Sequence, residues 1–146
     1  MDIHFDPSVY SGPVFVTCLY FAFWYYLLLI KQRGLKDKLR KSYEAKGEVF
    51  DRYFGQNEEM LAVDRVVINT QEQMMPFIVS LWLFSVLVSV YYATIFGVLY
   101  LALRAIYPML LGKKVSKVNT KKVCFVTIPC YMIIFSFFIM SVVSIL

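Results

Sequence analysis

RVVINTQEQMMPF, residues 65–77, places a polar pattern at the head of a long apolar stretch. Within it, four residues follow one another at steps of four, three and four positions: Arg65, Asn69, Glu72 and Pro76. On an α-helix these steps bring all four side chains to one face. The sequence therefore predicts a helix that carries an Arg-Asn-Glu stripe into a membrane, where a carboxylate is costly and generally functional.

The composition is that of a membrane protein. Of the 146 residues 60% are hydrophobic, the mean hydropathy is +0.63, and the apolar residues form long uncharged blocks. A chain of this length has room for one domain, so we predict a single all-α, four-transmembrane-helix bundle over residues 1–146. Four segments are candidate spans: about Val9–Ile30, Ala62–Val90, Ala93–Leu111 and Val123–Leu146.

The limits of the spans follow from the distribution of charge. The run from Gln73 to Leu103 has no charged residue and is longer than one span of roughly 20 residues, so we expect two helices joined by a tight turn near Ser89–Thr94. Met1–Pro7 has aspartates and no Lys or Arg, which is unlike the n-region of a signal peptide. The first apolar block is therefore expected to remain as a span.

The basic residues predict the orientation. Of the 15 Lys and Arg residues, nine lie in Lys31–Arg65 and five in Lys113–Lys122, while Arg104 is the one inside a span. With four spans the two basic segments lie on the same side, which the positive-inside rule makes cytosolic. Both termini would then face the lumen of the endoplasmic reticulum or of another organelle. The net charge of +5 reflects these membrane flanks rather than nucleic-acid binding.

We expect Lys31–Asp64 to form a long cytosolic loop, with the second span beginning near Glu58. The segment opens with the basic run KQRGLKDKLRK and then becomes mixed in charge. It is either a solvated segment attracted to anionic headgroups or a cover for a site at the membrane edge.

The cysteines and the histidine argue against disulfide and metal chemistry. Cys18, Cys124 and Cys130 all lie in apolar runs, without a CxxC pattern or a neighbouring histidine, so buried structural thiols are expected. His4 is the only histidine, which excludes a histidine-based triad and a multi-histidine metal site.

The polar stripe allows two interpretations. In the first, it is a packing cluster in which Glu72 is neutralised by Arg104, the one charge of the third span. In the second, it binds a small zwitterionic ligand, because Arg offers a fork to a carboxylate, Glu accepts from an ammonium group and Asn can do either.

The pattern R-x-x-x-N-x-x-E-x-x-x-P-F at the head of a second span resembles the signature of the membrane-associated proteins in eicosanoid and glutathione metabolism, the MAPEG superfamily. Its spacing is similar to that of the microsomal glutathione transferase and prostaglandin E synthase branches. The resemblance implies that Arg65, Asn69 and Glu72 bind glutathione, the co-substrate. It also implies a homotrimer, with each site between neighbouring subunits.

A second segment, GVLYLALRAIY at Gly97–Tyr107, resembles the third helix of the leukotriene-forming relatives. This resemblance adds Arg104 and Tyr107 to the glutathione site. Relatives that activate glutathione have an arginine after this helix, whereas this chain has no arginine after Arg104 and has lysines instead. Lys117 and Lys121 lie at about the matching distance past Tyr107 and are the candidate catalytic cations. A lysine can lower a thiol pKa, although it lacks the arginine fork.

These observations predict a membrane-bound glutathione transferase or peroxidase-like protein. The glutathione thiolate would attack a lipophilic electrophile or peroxide that partitions from the bilayer. Apolar walls from spans one and four would admit this lipophilic substrate. The alternative is a non-catalytic structural or regulatory subunit of a membrane complex, built on the same scaffold, which the missing arginine favours. A channel or transporter would need a more extensive polar pathway than one Arg and one Glu provide.

Overall fold

The computed structural model describes residues 7–114 and 117–146, without the side chains of residues 117, 118 and 120. Their elements follow in this order: a 3₁₀ turn Pro7–Tyr10, α1 Ser11–Tyr25, a π-helical segment Tyr26–Gln32, α2 Arg33–Glu44, α3 Glu58–Leu87, α4 Val90–Leu111 and α5 Lys117–Val143. The first four elements run on without a break as one helix, Pro7–Glu44, which is called the first helix below. The chain is thus a bundle of four long helices.

The first helix continues well beyond its apolar part, which corrects the loop predicted over Lys31–Asp64. The chain is helical to Glu44, and the connection to α3 covers only residues 45–57. Two ion pairs on α2, Arg33–Asp37 and Arg40–Glu44, join positions four residues apart and support the helix. The prediction was wrong because it took these charges as a sign of a loop, although they recur at helical spacing in a run of good helix formers.

The start of α3 lies near Glu58, as predicted. Asn57 is its N-cap, and the side-chain oxygen of Asn57 accepts from the backbone N–H groups of Glu59 and Met60, both at 3.1 Å. Glu58 and Glu59 also complement the positive end of the helix dipole. The helix then continues through Pro76 without interruption.

The turn between α3 and α4 is earlier than predicted. α3 ends at Leu87 and α4 begins at Val90, whereas the sequence placed the turn near Ser89–Thr94. The hydroxyl of Ser89 accepts from the N–H of Tyr92 at 3.4 Å and so caps the start of α4. Because this cap is a local side-chain contact, hydropathy alone did not reveal it.

Of the helices in the described residues, three are long and apolar enough to span a membrane: Pro7–Glu44, Val90–Leu111 and Lys121–Val143. The fourth, α3, carries the polar motif in its first half. Its apolar part after Gln73 rises only about 20 Å, at 1.5 Å per residue, against a hydrocarbon core of about 30 Å. The all-α membrane fold is confirmed, with α5 beginning at Lys117 rather than near Val123.

α4 is the central helix and contacts α1, α3 and α5. Gly97 permits this close packing, because a Cβ at its position would lie 2.9 Å from Val16 on α1 and 3.2 Å from Leu81 on α3. The rings of Phe77 on α3 and Tyr100 on α4 stack with their centroids 3.8 Å apart. These contacts hold the motif helix α3 directly against the middle of α4.

The cysteines occupy two environments. Cys130 is buried in the core, as expected, whereas Cys18 and Cys124 are exposed on the outside of the bundle. The expectation of buried thiols was therefore wrong for two of the three, because an apolar run in a membrane helix has a side that faces lipid as well as a side that packs. His4 lies outside the described residues.

Candidate functional site

The predicted motif face of α3 lies on the outside of the bundle, beside the core. Arg65, Glu72 and Pro76 are exposed, and Asn69 is half-buried. The side chains that pack inward follow the motif residues by one position each: Val66, Thr70, Gln73 and Phe77. Each residue rotates the helix by about 100°, so a shift of one position separates an outward stripe from an inward one. Asn69 stands at the boundary between the two.

Arg104 is the centre of a buried polar cluster between α3 and α4. Its side chain is 0% exposed. The guanidinium donates to three side chains of α3: Asn69 Oδ1 at 2.9 Å, Thr70 Oγ1 at 3.1 Å and Gln73 Oε1 at 3.5 Å. The ring of Tyr107 lies against the same guanidinium, with 4.8 Å between the ring centroid and the guanidinium carbon.

No carboxylate neutralises Arg104 within the part of the chain that the structure describes. The ion pairs of these residues all lie elsewhere, so the packing interpretation, in which Arg104 neutralises Glu72, is wrong. The reason is the register of α3, since Glu72 faces outward while its neighbour Gln73 faces the cluster. A buried charge held only by neutral dipoles retains much of its desolvation cost, and a bound anion would offset that cost.

The cluster also has unused hydrogen-bonding capacity. The Nε of Arg104 and the Nε2 of Gln73 are buried and have no hydrogen-bond partner among the described residues. A buried donor without a partner costs about 1–3 kcal/mol, and native structures usually satisfy such groups. Two donors and a positive charge in one place are chemically suited to an anionic group.

Four residues of this cluster were not predicted from the sequence: Tyr20, Thr70, Gln73 and Tyr100. The hydroxyl of Tyr20 donates to the carbonyl of Thr70 at 2.7 Å, and that of Tyr100 donates to Gln73 Oε1 at 3.1 Å. A signal for Thr70 and Gln73 was present, because they are polar residues in a membrane helix at the spacing of Asn69 and Glu72. The tyrosines gave no such signal, since tyrosine is common in the belts at membrane interfaces.

The exposed charges of the motif lie close to the buried cluster. Tyr107 is within electrostatic range of Arg65, Glu72 and Arg104. Asn69, the remaining residue predicted to bind glutathione, bonds directly to Arg104. The structure thus brings the predicted binding residues together around one part of α4. Because Arg65 and Glu72 face outward, one copy of the chain encloses only the inner side of the site.

Asp64 fastens α3 to the first helix immediately before Arg65. One carboxylate oxygen accepts from Gln32 Nε2 at 2.8 Å, and the other lies 3.0 Å from Lys36 Nζ. The Lys36–Asp64 pair is mostly buried, with 12% and 22% of the two side chains exposed. These contacts set the position of the motif relative to the C-terminal part of the first helix.

The structure describes one of the two lysine side chains that were expected to activate a thiol. Lys121 is exposed near the start of α5, and no hydrogen bond or ion pair of the described residues joins it to the Arg104 cluster. The side chain of Lys117 lies outside the described residues. Lys114 pairs with Glu58 at 2.6 Å, and the hydrogen bond and charge of Glu58 raise the pKa of Lys114.

One known protein family matches nearly the whole chain. The model of the MAPEG family matches residues 14–143, which include the motif of α3 and the Arg104 segment of α4. No curated protein matches the chain.

Proposed function

The chain belongs to the MAPEG family, a membrane family that includes glutathione transferases, and we propose that it is itself a membrane-bound glutathione transferase or peroxidase-like protein. It would bind glutathione at the cytosolic membrane face and conjugate or reduce lipophilic electrophiles. One observation carries this proposal: the buried Arg104 has no carboxylate partner among the described residues and keeps an unpaired Nε. An anionic ligand would supply what the cluster lacks.

The predicted binding residues take roles that suit their positions. The exposed Arg65 is suited to a carboxylate of glutathione, and the exposed Glu72 to its ammonium group. Asn69 stands between these charges and Arg104, so it can orient the ligand and the guanidinium together. Tyr107 packs against Arg104 and closes the inner side of the site.

A homotrimer would complete the site, as the resemblance implies. Arg65 and Glu72 face away from the bundle, and a neighbouring copy would cover that open side. The lipophilic substrate would then reach the site from the bilayer, along the apolar outer surface of the helices.

The reaction requires the thiolate of glutathione. A thiol with a pKa of about 8.5 is only a few per cent ionised at neutral pH, so a cation near the sulfur must lower that pKa. The thiolate forms a C–S bond with an electrophilic carbon as the leaving group departs with its electron pair. With a peroxide the thiolate attacks oxygen and forms an S–O bond as the O–O bond breaks, and the released alkoxide takes a proton. A second glutathione then reduces the resulting sulfenic acid, which gives glutathione disulfide and water. Lys117 and Lys121 are the candidate cations.

The alternative is a non-catalytic member that serves as a structural or regulatory subunit. The lack of any arginine after Arg104 in the sequence favours it, because lysine does not provide the planar fork that holds a thiolate. Both alternatives predict glutathione binding, and only the enzyme ionises the bound thiol.

The deciding experiment titrates the detergent-purified protein with glutathione and follows the ultraviolet absorbance of the thiolate. We expect a thiolate signal at a pH below that at which the free thiol ionises. Glu72→Gln should weaken binding at least about 30-fold, since loss of a charged contact in a partly desolvated site costs about 2–5 kcal/mol. Glu48→Gln, in the exposed connection, is the matched control. Binding without a thiolate supports the non-catalytic alternative, and absence of binding contradicts both.

We further propose that α3 also crosses the membrane, that the membrane is that of the endoplasmic reticulum or another organelle, and that both termini are luminal. The concentration of Lys and Arg in two segments at one end of the bundle supports this orientation. Single cysteines at position 2 and within 31–46, in a background without Cys18, Cys124 and Cys130, should react with an impermeant maleimide from opposite sides. Reaction from one side would overturn it.

A further inference from the structure

An apolar groove runs along the outside of the bundle between the first helix and α4. Its cytosolic part is a cavity of about 460 Å³ bounded by the first helix, α3 and α4. Its deeper part, of about 330 Å³, lies between α1 and α4. Phe23 and Ala105 line both parts, so the two join into one path.

The groove is about as long as one leaflet of a bilayer. On the first helix the groove extends from Lys31 to Leu19. On the other side it extends from Lys113, just after the end of α4, back along α4 to Val98. At 1.5 Å per residue, the stretch from Leu19 to Lys31 measures about 18 Å and the part of α4 from Val98 to Leu111 about 20 Å, against about 15 Å for half of a hydrocarbon core. A chain lying in the groove would therefore reach from the headgroup level to the middle of the bilayer.

The lining is apolar apart from Tyr26 and two lysines at the cytosolic mouth, and Lys31 Nζ lies 5.6 Å from the centroid of the Tyr26 ring. Lys31 and Lys113 both line the cavity there, and neither has an ion-pair partner among the described residues. Two lysines nearby in the sequence do have ion-pair partners, since Lys36 pairs with Asp64 and Lys114 pairs with Glu58. The mouth of the groove thus presents two ammonium groups to an anion.

We propose that this groove binds an anionic glycerophospholipid of the cytosolic leaflet. One acyl chain would lie in the groove, and the phosphate would accept hydrogen bonds from Lys31 and Lys113. A free phosphate compound would leave the apolar path empty, and a second copy of the chain seated there would bury two ammonium groups at a high cost unless it brought carboxylates. None of the residues predicted to bind glutathione lines the groove, so the lipid site is separate from the proposed active site.

Native mass spectrometry of the detergent-purified protein tests the charge selection. Phosphatidylserine and phosphatidylcholine with the same acyl chains are compared as probes. We expect phosphatidylserine to be retained preferentially. The double variant Lys31→Gln/Lys113→Gln should weaken phosphatidylserine binding about 25-fold, at about fivefold per lysine. It should weaken phosphatidylcholine binding by a smaller factor, because the choline ammonium group already offsets the charge of that lipid's phosphate. Lys38→Gln/Lys41→Gln, which removes two exposed lysines of α2 outside the groove, is the matched control.

A second variant tests the path for the acyl chain. Ala105 lies where the two parts join, so Ala105→Phe should block the groove and reduce retention of both lipids. Ala22→Phe, at an exposed position of α1 outside the lining, should not. Equal retention of the two lipids by the unmutated protein would overturn the proposal. The proposal would also be overturned if the Lys38→Gln/Lys41→Gln control weakened phosphatidylserine binding as much as the groove variant, or if inorganic phosphate displaced the lipid. A changed oligomeric mass without a change in bound lipid would overturn it as well.

Discussion

Replacing Arg104 by methionine distinguishes a packing role of the buried guanidinium from a ligand-binding role. Methionine is flexible, apolar and long enough to fill much of the space. Two of the three acceptors that lose a donor keep another contact: Gln73 Oε1 accepts from Tyr100, and the Thr70 hydroxyl donates to the carbonyl of Val66. The change also removes a buried charge. The free energy of unfolding without ligand should therefore stay within about 2 kcal/mol of the wild type.

The effect of glutathione on stability should differ far more between the two proteins. A ligand present at 100 times its Kd stabilises the native state by about 2.7 kcal/mol. Loss of a charged contact costs about 2–5 kcal/mol of binding, which raises the Kd at least about 30-fold. At the same glutathione concentration, the stabilisation of the Arg104→Met variant should then fall below about 0.9 kcal/mol.

Thermal unfolding in detergent, followed by tryptophan fluorescence with and without glutathione, measures both quantities. Arg52→Met is the matched control, because Arg52 lies in the exposed connection and contacts Asp37 at 3.7 Å. Equal stabilisation by glutathione in the Arg104→Met variant and the wild type would refute the ligand-binding role. A large loss of stability without ligand, together with an intact glutathione effect, would assign Arg104 to packing.

Three further measurements address the parts around the site. Asp64→Asn should loosen the C-terminal end of the first helix, which loses a mostly buried ion pair, and amide exchange of α2 should become about five times faster; unchanged exchange would contradict this. The backbone N–H groups of Phe54 and Tyr53 donate to the Asp51 carboxylate and lower its pKa below 3.8. The ionised carboxylate therefore holds the turn 51–54 at a pH above 3.8, and the turn is lost as the pH falls through the lowered pKa. Asp51→Ala should show the amide chemical shifts of the opened turn at neutral pH, and native shifts there would refute the role of the carboxylate. Lys117→Gln with Lys121→Gln should raise the pKa of the bound glutathione thiol by about a unit or more, and an unchanged thiolate titration would assign activation to another cation.

The bundle was largely predictable because a membrane span requires a long apolar run, which is a local property. The errors lie where helices end. The Ser89 side chain caps α4, so α4 begins earlier than the hydropathy indicated. The ion pairs Arg33–Asp37 and Arg40–Glu44 help to keep α2 helical. Such contacts act over three or four residues and do not change the hydropathy on which the spans were drawn.

The sequence by itself determined that Arg65, Asn69 and Glu72 share one face of a helix, because the 3.6-residue period depends on the backbone alone. Only the tertiary structure decided which side of that helix turns inward. Packing against α4 turns Gln73 toward Arg104 and leaves Glu72 outside, a difference of one residue that no local pattern distinguishes. The same holds for the groove between the first helix and α4, since its walls come from segments far apart in the chain and exist only once the helices pack.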